Sequence, residues 1–316
     1  MQGARRAVTV GTMVTTGQPS PATRTDLCAP AVDADEIVTG ALGDLAPAPG
    51  WSRPVLLGAD LLILVTHGHG SAELDFRALP CRPGTLLRAR PGQVLRCLGP
   101  QLDATVVRWG PDTLRGLDVD PDAVPAYRQL AGEDEDAVIS EVTQLAVDAE
   151  RHRGVPAARA LLRHQLAVLL LRLTLLGAPE ERPVSRPESA TFHRLCREVE
   201  RGYQHTRRVE DYAAQLGCSV RTLTRACLAV TGRSAKQVID ERVALQASRL
   251  LAATDEPIAR IGRRLGFPEP TNFGRFFTRE IGVSPGAFRA AREQPLPVRM
   301  VRPRPPADAP MPNGRA

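Results

Sequence analysis

The C-terminal third of the chain carries one kind of unit twice, and few folds accommodate that duplication. The first copy runs from Asp211 to Arg225 (DYAAQLGCSVRTLTR) and the second from Ile258 to Phe277 (IARIGRRLGFPEPTNFGRFF). Each reads as a short helix, a turn opened by glycine (Gly217, Gly266) and a second helix with arginines on its outer side. That pattern predicts a helix-turn-helix, a motif that lays its second helix in the DNA major groove. Two on one chain predict a protein that reads two adjacent groove segments.

Spacing assigns inner and outer positions. In the first unit Val209, Ala213 and Leu216 give the leading helix an apolar face, and Ser219 suits the N-cap of the next. Leu223 and Cys227 then turn inward at i, i+4, which leaves Arg221, Thr224 and Arg225 facing outward. In the second unit Ile258, Ile261 and Leu265 form the inner face and Phe267 plugs the turn. Pro270 suits the first helical position. Phe273 and Phe277 face inward, and Thr271, Asn272, Arg275 and Arg279 face outward. Arginine pairs bidentately with guanine O6/N7 or holds a phosphate, and asparagine pairs with adenine N6/N7. Residues 240–253 hold no Gly or Pro and read as one continuous helix joining the units.

Charge follows the same division. Residues 1–190 carry 19 arginines against 23 acidic residues, a net −4. Residues 191–293 carry 18 basic against 11 acidic residues, a net +7, and the tail 294–316 carries 4 against 1, a net +3. The positive charge therefore lies with the two units, where phosphate binding needs it. Arg260, Arg263 and Arg264 are candidate phosphate contacts. No apolar run is uninterrupted enough to span a membrane; 157–176 comes nearest but holds Arg159, Arg163, His164 and Arg172. Arg5 and Arg6 precede no apolar h-region, so a secretory signal is not expected. The six cysteines form no CxxC pair and read as thiols in a reducing cytoplasm.

The first half has a different texture. Residues 1–24 are rich in Thr, Gly, Pro and Ala, and disorder is expected there. From 35 to 109 apolar stretches such as 54–66 and 85–87 alternate with Gly and Pro turns, and 105–109 is β-branched and aromatic. A small antiparallel barrel or sandwich is expected. From 121 to 176 the pattern is helical: Val138, Val142, Leu145 and Ala149 keep helix spacing behind the acidic cluster 133–136. The segment 157–176 is apolar on more than one face, as in a bundle or against a partner chain. Residues 177–187, with three prolines and a glycine, are the best domain boundary, and the proline-rich tail after 292 is expected to be disordered.

With these positions in place, residues 191–293 resemble the DNA-binding domain of the AraC/XylS family of bacterial transcription regulators. The resemblance runs through Gly217-x-Ser219-x3-Leu223-x-Arg225, Ala247-x2-Leu250-Leu251, Ile258-x2-Ile261-x4-Gly266-Phe267, Phe273-x-Arg275-x-Phe277 and Gly282-x2-Pro285-x2-Phe288-Arg289. It implies an all-helical domain with recognition helices in successive major grooves. It places base contacts at Arg221, Thr224, Arg225, Thr271, Asn272 and Arg275. The chain departs from the family at Cys227 (usually Phe), Ala235 (often Pro), Val243 (usually Arg, here one place early as Arg242) and Gly274 (usually a small polar residue). The first unit is the weaker match.

The N-terminal half, through 61–76, Arg82-Pro-Gly-Thr-Leu-Leu and Arg90-Pro-Gly-Gln-Val, resembles the cupin effector domain of the same regulators. The implied α+β organisation is a disordered N-terminus (1–24), a cupin-like effector-binding and dimerisation domain (25–178), a linker (179–190), an AraC-type DNA-binding domain (191–293) and a disordered tail (294–316). His67, His69 and Arg96 are the candidate effector contacts. The implied partners are double-stranded DNA, an unidentified small-molecule effector, a second copy of the chain and RNA polymerase. No cofactor is expected. His67-Gly-His69-x3-Glu73 has the HxH(x3)E spacing of a metal-binding cupin, but Leu95 stands near the position of the remaining histidine, and no metal site is expected. Two other readings stay open: a metal-dependent cupin enzyme fused to a DNA-binding domain, and an architectural DNA binder that needs no effector.

Overall fold

A computed structural model of the protein describes residues 32–46, 51–99, 101–177 and 187–293. The expected disorder of 1–24 and of the tail lies outside these residues, as does most of the expected linker.

The N-terminal half holds two antiparallel sheets. The first has the order β1 (Ile37–Ala41), β8 (Asp103–Trp109), β3 (Asp60–His67), β6 (Thr85–Ala89), β9 (Tyr127–Gln129). The second has the order β2 (Val55–Leu56), β7 (Val94–Leu98), β4 (Gly70–Leu74), β5 (Arg77–Cys81). Strand β3 explains the packing. Leu61, Ile63 and Val65 point into a core shared with Ala72, Leu87, Leu95 and Val106. Leu62 and Leu64, on the opposite face, join Trp109, Val138, Leu145, Leu166 and Leu170 beneath the helices. A strand buried on both faces loses the apolar/polar alternation of a half-exposed one, so its sequence reads as an unbroken apolar run.

Two helices cover the first sheet. Helix α1 (Glu133–Arg151) opens with Glu133, Asp134, Glu135 and Asp136, whose charge suits a helix N-terminus. Helix α2 (Pro156–Gly177) buries Leu166, Leu169, Leu170 and Leu173 but leaves Leu161, Val168, Leu171 and Leu175 exposed. The stretch expected to be helical from 121 also contains a strand. β9 pairs antiparallel with β6, Thr85 opposite Gln129 and Leu87 opposite Tyr127, and forms the end of the first sheet. Its three residues are too few to show a period, and their pairing partners lie forty or more residues away in sequence.

The C-terminal half is all-helical: α3 (Pro187–Gly202), α4 (Val209–Gln215), α5 (Val220–Thr231), α6 (Ala235–Ala253), α7 (Ile258–Arg264), α8 (Pro270–Ile281) and α9 (Pro285–Glu293). Residues 187–190, expected in the linker, instead open α3, with proline at the first helical position where its missing N–H costs nothing. Helix α6 is the axis of the domain. Ala235, Ile239, Val243, Ala247, Leu250 and Leu251 are all buried, and both units pack on it.

Candidate nucleic-acid interface

Each unit turns where its glycine takes a left-handed conformation, Gly217 at φ 64° and Gly266 at φ 78°. A side chain is strained there, and glycine is not. In the first unit the Ser219 hydroxyl accepts the Thr222 amide at 3.0 Å and starts α5 cleanly. Leu223 and Cys227 are fully buried, while Arg221 and Arg225 are exposed and Thr224 half-buried. In the second unit Pro270 opens α8, and Phe273 and Phe277 are buried as their spacing requires. Phe276 is buried as well, against Phe267 at a ring separation of 4.9 Å. Helices α7 and α8 meet closely because Gly262 lacks a side chain; a Cβ there would stand 3.1 Å from Phe273 Cβ. Thr271, Asn272 and Arg275 face outward and are exposed.

The arginines fall into two groups. Arg221, Arg225 and Arg275 form no ion pair among the described residues, so their guanidinium groups are available to a ligand. Arg279, also expected to contact DNA, is tied back: it reaches Asp240 at 3.2 Å and Glu280 at 2.6 Å and lies over the Phe276 ring. Asp240 is itself buried and also accepts from Lys236. Arg242 clips α6 onto α3 through Glu200 (2.7 Å) and stacks on Tyr203. This cross-link sits one place before Val243, whose side chain fills the core instead. Arg264 pairs with Glu256 at 3.4 Å.

A cleft of about 710 Å³ runs from the α3–α4 loop to α8. Arg207, Arg208, Lys236, Asn272 and Arg275 are among the residues that line it. Arg207 lies flat on Phe267, 3.6 Å from the ring centroid, and donates to the Gly266 carbonyl at 3.3 Å. Burial lowers its pKa, Asp240 opposes that, and Arg279 adds to it. The stacked guanidinium stays positive at neutral pH because arginine starts far above it. Arg207, Arg208 and Lys236 carry no periodic signal in the sequence, since they sit in a loop and on the first turn of α6. Their proximity to α8 exists only once the helices are packed.

The structure places the three candidate effector contacts differently from one another. His67 and His69 are exposed at the β3–β4 turn. Arg96 is buried on β7, donates through Nε to the Trp51 carbonyl at 3.0 Å, and leaves Nη1 without a partner among the described residues. Burial is the main cause lowering its pKa, opposed by Glu73 across the strand pair. Glu73 itself pairs with Arg292 at 2.5 Å. Among the described residues no three His, Cys, Asp or Glu side chains are grouped as a metal site, and no helix is long and apolar enough to cross a membrane.

This geometry has counterparts. Residues 212–291 match a family described as "Helix-turn-helix domain". The chain is 44% identical over 55 residues to the arabinose operon regulatory protein of Escherichia coli K12, covering 17% of this chain and 18% of that protein. Residues 212–291 therefore carry a helix-turn-helix domain similar to that of AraC/XylS-type regulators. A longer match reaches the HTH-type transcriptional activator RhaS of Klebsiella pneumoniae, 28% identical over 156 residues, covering 49% of this chain and 53% of that protein. The chain thus spans about half the length of that activator and under a fifth of the arabinose regulator. Among solved structures, fatty-acid-bound ToxT of Vibrio cholerae is similar at 12% identity and a TM-score of 0.40, over 75% of this chain and 88% of that one.

Proposed function

We propose that this chain is a regulator of the AraC/XylS type: a sequence-specific DNA-binding transcription regulator that acts as a homodimer under the control of a small-molecule effector. One observation carries the DNA half of this reading. Two helix-turn-helix units share one buried axis, α6, and each presents outward polar side chains that form no ion pair among the described residues: Arg221 and Arg225 on α5, Asn272 and Arg275 on α8. A rigid axis sets the separation of the reading helices, so recognition is of two sub-sites at a defined spacing. Thr224 and Thr271 complete the two base-facing sets. Arg279 is better suited to holding α8 on α6 than to reading bases.

The dimer reading is supported by α2. Its exposed apolar residues Leu161, Val168 and Leu175 recur every seven residues, with Leu171 between them, which is the seam of a helix pair. Leu175 is 77% exposed, an unusual position for a leucine in an unpaired helix. The effector is placed in the cupin-like N-terminal domain, where Arg96 is the one candidate contact inside the fold. A regulator of this kind works if the effector binds the DNA-competent and incompetent arrangements unequally.

The test is selection of bound fragments from a genomic library with the full chain at moderate salt. A motif with two sub-sites about one helical turn apart is the expected result. Salt-sensitive binding without a motif, unchanged when metabolite pools are added, would sink the regulator reading in favour of an architectural DNA binder.

A further inference from the structure

Strands β4 and β5 are joined by only two residues, Asp75 and Phe76, since Leu74 pairs directly with Arg77. Both take positive φ, 47° and 67°. A two-residue turn of this hand favours Asn-Gly or Asp-Gly, and a bulky side chain at its second position is a steric outlier. Strain that a glycine would relieve points to a use for the ring.

The use lies in the other domain. The Phe76 ring leaves the sheet and packs edge-on against Phe288 of α9, at 5.6 Å and 79°. Phe288 meets Phe277 of α8 the same way, at 5.5 Å and 78°, and Phe277 meets Phe273. Asp75 accepts two parallel bonds from Arg249 of α6, at 2.8 and 2.7 Å. The two side chains are only 12% and 9% exposed. Arg292 of α9 lies over both Phe76 and Phe288 while pairing with Glu73. Arg53 completes the contact at Asp255, with a second donation to the Thr254 carbonyl past the end of α6. Two of the ion pairs put the negative partner on the sheet side and one puts it on the helical side, so a shifted docking would set like charges together. The reading faces of α5 and α8 stay uncovered throughout.

We propose that the Asp75–Phe76 tip is an interdomain plug that couples the N-terminal sheets to the second reading helix, α8, through Phe288 and Phe277, and leaves α5 outside its direct reach. A shift of β4 and β5 then moves the second reader before the first.

The test is amide hydrogen exchange on the full chain without DNA, comparing wild type with Phe76→Gly. Because no DNA is present, the outcome does not depend on whether the chain reads DNA. Glycine suits the turn better than phenylalanine, so the sheet domain keeps its fold. Amides of α9 and of residues 250–256 are expected to exchange about tenfold faster or more, with α5 changing by less than about twofold. Asp75→Asn, which keeps the shape and removes the charge, is expected to act in the same direction and decides the matter if Phe76→Gly does not fold. Unchanged exchange in α9, or an equal rise in α5 and α9, overturns the plug.

Discussion

The two helix-turn-helix units share one axis and one turn geometry, yet they are held by different chemistry. The second is aromatic: Phe267, Phe273, Phe276, Phe277 and Phe288 form one run of tilted and edge-on contacts. It is also fastened to the N-terminal domain through Phe288 and Arg292 of α9, whereas Arg249 ties the shared axis α6 to Asp75. The first unit is smaller inside, with Leu223, Cys227 and Ala213 at its centre and the hydroxyl of Tyr212 donating to the Thr206 carbonyl at 3.1 Å. It docks on α3, where Arg194 donates to the Leu216 carbonyl. A fold can thus repeat one backbone plan while dividing stability and adaptability unequally between the copies.

That contrast sets the expected order of effects. Phe277→Ala should cost about 3–5 kcal/mol in denaturant unfolding, because it opens a cavity in a ring cluster that cannot collapse. Cys227→Ala, at the corresponding inward place of the first unit, should cost only about 1 kcal/mol. Equal losses would mean that the aromatic cluster is not what distinguishes the second unit.

Alkaline pH should act on the first unit as well as on the N-terminal core, where burial pushes the Cys97 thiol up. Burial, with Asp211 and Glu198 nearby, pushes the Tyr212 phenol up to about 12, and burial pushes the Cys227 thiol up to about 11. For an acid whose pKa is raised by folding, the stabilisation is complete below the unfolded value and disappears as pH climbs through the folded one. Stability should therefore begin to fall near pH 9 and continue falling to about 12, as the shifts of these two groups require. The tyrosine is expected to carry the upper part of that loss. Tyr212→Phe should flatten the upper part of the profile. A profile unchanged by that substitution would place the titration elsewhere.

On DNA, Arg275→Ala should cost about 1–3 kcal/mol at the preferred site and relax one base position, whereas Arg263→Ala should weaken all sequences alike and reduce the salt slope. Binding measured at two salt concentrations on matched and scrambled sites separates the two. Wild-type binding by Arg275→Ala would remove the second unit from base reading. Removing the α5 cap with Ser219→Ala should lower stability by about 1 kcal/mol. Smallest and opposite in sign, Gly274→Ala should stabilise by about 0.5–1 kcal/mol, since a helical glycine costs backbone entropy. A Cβ there meets nothing within 4 Å. A loss measured by thermal unfolding would contradict this.

Much of the candidate interface was legible beforehand because its information is local. Glycine at the turns, serine at the cap, proline at the start of α8 and apolar residues at i, i+4 each act within a few residues of themselves. They sufficed to separate Arg221, Arg225, Asn272 and Arg275 from the inward positions. Arg279 shows where spacing runs out. It is outward by helical phase, but its partner Asp240 lies on another helix. Arg207 over Phe267 and the strand β9 were hidden for the same reason: each depends on a neighbour distant in the chain.

Residue types and periods along the chain therefore settled the kind of elements, the repeated unit and the identity of the outward arginines, because helix phase and turn conformation are short-range constraints. Packing settled which arginines keep their charge free, how the second sheet and the covering helices share the apolar run of β3, and that a two-residue turn carrying Asp75 and Phe76 reaches into the helical domain. Those outcomes rest on contacts across 174 positions of sequence, between Arg249 and Asp75, and 219, between Arg292 and Glu73, and no local pattern announces them.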